Sequence, residues 1–192
     1  LYGAALRWQP IQKDANYRAA IIRECTIVVP ENDLKWGNVE RAQGQVDYKF
    51  AEVIWRFASA NSIKMRGHAL LWHRVLPQFI ASELSSITPA TFRQQVAKHI
   101  EDEVTAWKGR LVHWDVVNEF LDEHGNGTRD VPFWKLLGRD FVADAFKIVK
   151  DKDANTLRVY NDYGFGFSRA GREVGSHLRL LDDLAQLGAP VD

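Results

Sequence analysis

Short apolar runs and longer amphipathic stretches alternate along this chain. Five runs read as buried strands, at about Tyr2–Ala5, Thr26–Val29, Lys64–Leu70, Leu111–Val117 and Thr156–Tyr160. After each come apolar positions three and four residues apart, the spacing of one helix face. These segments are about Asn16–Glu24, Tyr48–Asn61, Thr91–Trp107, Phe133–Lys150 and Arg169–Leu187. Phe50, Val53, Ile54, Phe57 and Ala58 form the stripe of the second helix, and Val142, Ala145, Phe146 and Val149 that of the fourth. Thr88 ahead of Pro89 marks the start of the third helix, and Asp47 precedes the second. Gly188 and Pro190 stop the last.

Five successive βα units with buried apolar strands imply an α/β fold on a parallel sheet. A doubly wound sheet would place a ligand where the strand order reverses. A (β/α)8 TIM barrel would place it at the C-terminal ends of the strands. Polar and aromatic residues cluster just after four consecutive strands: Glu31, Asn32 and Lys35; His68, Trp72 and His73; Asn118 and Glu119; Asn161, Asp162 and Tyr163. That repetition favours the barrel. A barrel takes eight units and about 250 residues, whereas these 192 residues supply strands 1–5. Residues 1–192 are therefore expected to be one catalytic domain, C-terminally incomplete. A sixth strand is due at Ala189–Asp192.

Composition narrows the partners. The 25 basic and 25 acidic side chains cancel, which argues against a nucleic-acid or anionic-membrane binder. No apolar run approaches the ~18 residues of a membrane-spanning helix. Cys25 is the single cysteine, so no internal disulfide framework or all-Cys zinc site can form. The chain opens without an initiator Met or a signal-peptide pattern, as after processing or trimming. Seven Trp, ten Phe and five Tyr make it rich in aromatic rings.

Glu119 is the leading candidate for chemistry. It sits at the tip of the run Leu111–Val117, next to Asn118 and near Trp114. A carboxyl desolvated by such neighbours has its pKa raised, and can hold a proton and deliver it to a leaving oxygen. Pro30–Trp36 places two acids, an amide, a lysine and an indole together. A hydroxyl-rich ligand needs such a set of polar groups around an apolar plate. Trp36 and Trp72 are the candidate plates. His68 and His73 are five residues apart with no acid to complete a ligand set, so hydrogen bonding fits them better than metal. Asp162 could be a second carboxylate near Glu119, although a supporting role suits it better.

Other motifs fail. After Gly164 and Gly166 the third glycine of a dinucleotide fingerprint is Arg169. The loop from Asp122 ends on Phe133, where a calcium loop needs Glu. No Gly-x-Ser-x-Gly is present. Asn126-Gly127-Thr128 is a sequon and marks an exposed loop.

Four segments together resemble glycoside hydrolase family 10. They are Pro30-Glu-Asn-Asp-Leu-Lys-Trp36, Gly67-His-Ala-Leu-Leu-Trp-His73, Trp114-Asp-Val-Val-Asn-Glu119 and Asn161-Asp-Tyr163, in the family's order and spacing. The resemblance covers essentially the whole chain. It implies a TIM barrel, endo-1,4-β-xylanase activity with retention at the anomeric carbon, no required cofactor and no metal. It implies xylan and xylo-oligosaccharides as partners, with no nucleic acid or membrane, and a secreted or periplasmic location. By position, Glu119 would be the general acid/base and Asn118 the amide on the sugar 2-hydroxyl. His68, Lys35 and Trp72 would touch the non-reducing-side sugars nearest cleavage, and Glu31 and Asn32 the next sugar out. Departures are small: Val29 stands for the usual Thr, Leu34 for Met, Phe79 ends the Leu-Pro-x-Trp run and Gly164 replaces Asn.

The family's nucleophilic Glu lies at the end of the seventh strand, beyond these residues. Retaining hydrolysis needs both carboxylates, so this chain is expected to carry the acid/base but not the nucleophile, and to be inactive without strands 6–8. The alternative is a non-catalytic carbohydrate-binding partial barrel using the same contacts. A sugar-phosphate enzyme would need a late glycine-rich anion loop, and none is present.

Overall fold

A computed structural model describes residues 2–122, 127–163 and 174–192. Its elements run β1 (Gly3–Leu6), α1 (Trp8–Lys13), α2 (Ala15–Glu24), β2 (Ile27–Pro30), α3 (Trp36–Val39), β3 (Glu40–Ala42), β4 (Gln45–Val46) and α4 (Lys49–Ala60). There follow β5 (Lys64–Leu71), α5 (Gln78–Glu83), α6 (Pro89–Ala106), β6 (His113–Asn118), α7 (Pro132–Lys152), β7 (Leu157–Asn161) and α8 (Val174–Gln186). All five predicted strands are present within one or two residues. The predicted start of the last helix at Arg169, the sequon's Asn126, and Gly164 and Gly166 lie outside the described residues.

The five long-range strands form one parallel sheet in the order β1–β2–β5–β6–β7. Spatial order follows chain order throughout. A doubly wound sheet reverses direction part-way, so the progression is that of a barrel wall. The two short strands β3 and β4 pair only with each other, as an antiparallel ribbon.

Local chemistry explains the helix boundaries. The Asp14 carboxylate accepts from the Asn16 and Tyr17 N–H groups and starts α2. Thr88 Oγ1 accepts from Thr91 N–H, and Pro89 occupies the first turn of α6, where its missing N–H costs nothing. Asp47 accepts from Lys49 N–H at the start of α4. After α8, Gly188 takes a left-handed turn at φ 73° and Ala189 N–H returns to the Leu184 carbonyl.

The stripes read from sequence face the core. Val142, Ala145, Phe146 and Val149 of α7 are buried, as are Phe92, Val96, Ile100 and Val104 of α6, against which α7 packs. In α4, Ile54 and Ala58 are buried; Phe50 lies half out and stacks on Trp8 of α1 at 4.3 Å. Trp114 is buried at the centre of β6, opposite Gly67 of β5. Beneath α3 lies a buried polar pair on one face of α6, His99 and Glu103, with His99 Nε2 donating to the Leu70 carbonyl at 3.2 Å.

Candidate active site

Four of the five parallel strands, β2, β5, β6 and β7, carry polar residues at or just beyond their C-terminal ends, so these tips form one row. Asn118 closes β6 and pairs in register with Asn161, which closes β7. Glu119 follows with φ +57°, a left-handed conformation that non-glycine residues adopt at a cost. Two backbone contacts hold it there. Its N–H donates to the Asn161 carbonyl at 3.0 Å, and its carbonyl accepts from Arg129 Nε at 3.3 Å. The turn sends the half-buried Glu119 side chain to the end of β5, where Trp72 Nε1 donates to its Oε2 at 3.0 Å.

Lys35 is drawn to the same place. Its ammonium lies 4.6 Å from the centre of the Trp72 ring and donates to Asn32 Oδ1 at 2.9 Å. Burial pulls its pKa down, and the acids Glu31, Glu119 and Asp33 oppose that shift. Asp33 is pushed up by burial and then by the Glu31 charge. Glu31 is held down mainly by its hydrogen bond to Arg7, which grips both carboxylate oxygens at 2.6 and 2.9 Å. The loop carrying Glu31, Asn32 and Lys35 is fastened by Asn38 Nδ2 on the Asn32 carbonyl. Gly37 N–H reaches the Val75 carbonyl at 2.7 Å, which joins this loop to the one after β5. A side chain at Gly37 would come within 2.6 Å of that carbonyl oxygen.

His68 stands below Trp72, and its Nδ1 meets Asp115 Oδ2 at 2.8 Å. A carboxylate only accepts, so Nδ1 carries the hydrogen. Asp115 is wholly buried and also receives Arg66 Nε and one terminal nitrogen, at 2.9 and 2.5 Å. His73, next to Trp72, is held near pKa 4, first by burial and then by the charges of Arg129 and Arg74. It is neutral at ordinary pH.

The structure thus gathers Lys35, Asn32, His68, Trp72, Asn118 and Glu119, and sets Glu31 at the edge beside Arg7. It does not bring Trp36 to the surface. Trp36 is 5% exposed, stacks on His99 at 4.2 Å and donates from Nε1 to Glu40. Its expected role as a sugar plate is corrected to that of an anchor, because α3 turns the ring inward. Asp162 is also committed: its buried carboxylate accepts from Tyr160 OH at 2.5 Å and from Tyr163 N–H at 2.8 Å, with His177 at 3.6 Å. Arg66, Asp115 and Arg129 support the site and were not singled out from sequence. A charged residue inside the apolar run of β6 was the one available signal, since buried charges are normally paired.

Among the described residues no group of three or more His, Cys, Asp or Glu is placed to hold a metal ion. No described helix is long and apolar enough to cross a membrane.

A row of acid, amide, imidazole, ammonium and indole on the C-terminal tips of successive parallel strands defines a barrel protein with its site at the barrel mouth. Residues 1–192 match the model of glycosyl hydrolase family 10, and the chain belongs to that family. It is 35% identical, over 193 residues, to endo-1,4-beta-xylanase 3 of Hypocrea jecorina, covering 100% of this chain and 53% of that protein. It is 33% identical over 169 residues to endo-1,4-beta-xylanase 5 of Pyricularia oryzae, covering 88% of this chain and 40% of that one. The crystal structure of xylanase 10B from Thermotoga petrophila RKU-1 in complex with xylobiose superposes with a TM-score of 0.89 at 28% identity. That match covers 100% of this chain and 57% of the other. Native xylanase 10B from Thermotoga maritima gives 0.88 at 29%, covering 98% and 57%. The chain spans about half the length of the curated relatives it matches. Its fold is that of the TIM barrel, with five parallel strands alternating with helices.

Proposed function

We propose that this chain carries the acid/base half of a retaining endo-1,4-β-xylanase, and that Glu119 is the acid/base. The observation that carries the reading is the grip of Trp72 Nε1 on Glu119 Oε2 beside Lys35 and Asn118. One oxygen of Glu119 is held by the indole, which leaves the other for proton transfer. In the first step Glu119 protonates the glycosidic oxygen as that bond breaks. In the second it takes a proton from the water that releases the glycosyl ester. Asn118 bonds the 2-hydroxyl of the sugar at the reacting carbon. His68, Lys35 and Trp72 hold the nearest non-reducing-side sugars, and Asn32 and Glu31 the next.

The ester must form on a second carboxylate about 5–5.5 Å from the acid. Asp162 is unsuited, because its carboxylate is buried and tied to Tyr160 and Tyr163. We infer that the nucleophile lies outside these 192 residues. This is in keeping with relatives named as endo-1,4-beta-xylanases that extend well beyond the matched segment.

Aryl β-xylobioside hydrolysis and xylotriose binding by the purified chain test both parts. The expected result is binding that Trp72→Ala weakens, with no aryl release. Release abolished by Glu119→Gln would overturn the placement of the nucleophile. Absence of both binding and release would overturn the xylan-site reading itself.

A further inference from the structure

Asn161 makes three contacts that the roles above do not use. Its carbonyl accepts Glu119 N–H at 3.0 Å, its Oδ1 accepts from Arg66 at 2.9 Å, and its Nδ2 donates to Asn118 Oδ1 at 2.7 Å. A side-chain amide has the same shape either way round, so its neighbours must decide which end is oxygen. Arg66 decides here. A guanidinium has five N–H donors and no acceptor, so the Asn161 atom beside it is oxygen. The atom facing Asn118 is then nitrogen, and the Asn118 atom that meets it is oxygen. The other end of the buried Asn118 amide, its NH2 group, is left outside the relay. Arg66 cannot swing away, because Asp115 holds two of its nitrogens.

We infer that Asn161 is a positioning residue which, with Arg66, sets the polarity of the Asn118 amide, so that Asn118 offers the ligand N–H donors and no carbonyl. The ligand atom it takes is a lone-pair acceptor, such as a hydroxyl oxygen, and a group able only to donate is refused. The polarity follows from the protein alone; its use on a sugar hydroxyl rests on the function proposed above.

Side-chain amide NMR of the isotopically labelled chain tests it. In Asn161→Asp the new carboxylate still accepts from Arg66 but cannot donate to Asn118. The Asn118 amide should turn over and donate to it, moving its proton signal downfield and slowing its exchange with water about tenfold. In Asn118→Asp an acceptor still faces Asn161, so the Asn161 amide should stay hydrogen-bonded and keep its protection. That second variant decides the matter if Asn161→Asp does not fold. A merely structural role for Asn161 would leave the Asn118 amide as it was in Asn161→Asp, and that result overturns the inference. Loss of Asn161 protection in Asn118→Asp overturns it too. Xylotriose titration of the unaltered chain separates the two readings. Sugar-induced shifts without the amide reversal sink this inference, whereas the reversal without sugar-induced shifts sinks the xylan site and leaves the polarity standing.

Discussion

Replacing Gly67 with alanine would place a methyl carbon 2.1 Å from Cε3 of Trp114, 2.4 Å from Cζ3 and 2.5 Å from Cδ2. Carbon atoms rest at about 3.5–4.0 Å, so the ring or the strand would have to move by roughly 1.4 Å. Trp114 is 1% exposed and has no solvent side to move toward. Overpacking of this kind costs about 1–3 kcal/mol, and a rigid bicyclic ring struck on its face, directly over Cε3, belongs at the upper end. Alanine returns about 0.5–1 kcal/mol by restricting the unfolded chain. The net loss is then about 2 kcal/mol, a fall in melting temperature of roughly 4–8 °C for a chain of this size. Urea unfolding followed by tryptophan fluorescence would read it. Trp114→Leu removes the clashing ring, and on that background Gly67→Ala should be neutral or mildly stabilising. A loss below about 0.5 kcal/mol in the single variant, or an equal loss in both backgrounds, would refute the reasoning.

Two further outcomes follow from buried charges. Burial holds His99 near pKa 3 and Glu103 well above its usual 4.5, with Asp102 and Glu40 the charges that act on them. The folded pair is therefore neutral. Between the ordinary values of 4.5 and 6.5 the unfolded chain, with Glu⁻ and His⁺, binds as many protons as the folded one. This pair's contribution is flat there, falls above 6.5 where the folded state keeps a proton, and falls below 4.5 where the unfolded state gains one. Glu103→Gln should abolish the alkaline loss and move the start of the acid loss up to 6.5 in urea midpoints measured from acid to alkaline pH; parallel profiles would count against it. Asp115→Asn leaves Arg66 without its buried counter-charge and should cost about 3 kcal/mol, read by thermal unfolding. A change under about 1 kcal/mol would show that the pair contributes little.

The wall of the barrel was legible because its signals are local. Apolar runs and stripes recur within each unit, and Thr88-Pro89 announces α6 within four residues. The short elements were not. Six residues including Pro10 give α1 too little periodicity to read, and β3 and β4 are polar and only three and two residues long. Trp36 is adjacent to Lys35 in sequence but its ring is not beside it in space; α3 begins between them and turns the indole onto His99. The relay under the site was invisible for a different reason. Arg66 lies 49 residues from Asp115 and 95 from Asn161, and periodicity along one segment says nothing about such pairings. Asn118 and Glu119 stood out in sequence; what sets their orientation did not.

Glu119 occupies backbone geometry that suits glycine or asparagine better, at a standing cost of about 1–2 kcal/mol. On the reading proposed here, the same residue is the proton donor. Selection for stability and selection for turnover therefore pull this position in opposite directions. A descendant relieved of catalysis would be free to drift at residue 119 toward glycine and shed that backbone cost, with Trp72 Nε1 losing its acceptor in exchange. Stabilising programmes that favour relaxed backbones would choose the same change first, and would erase the chemistry while improving the fold.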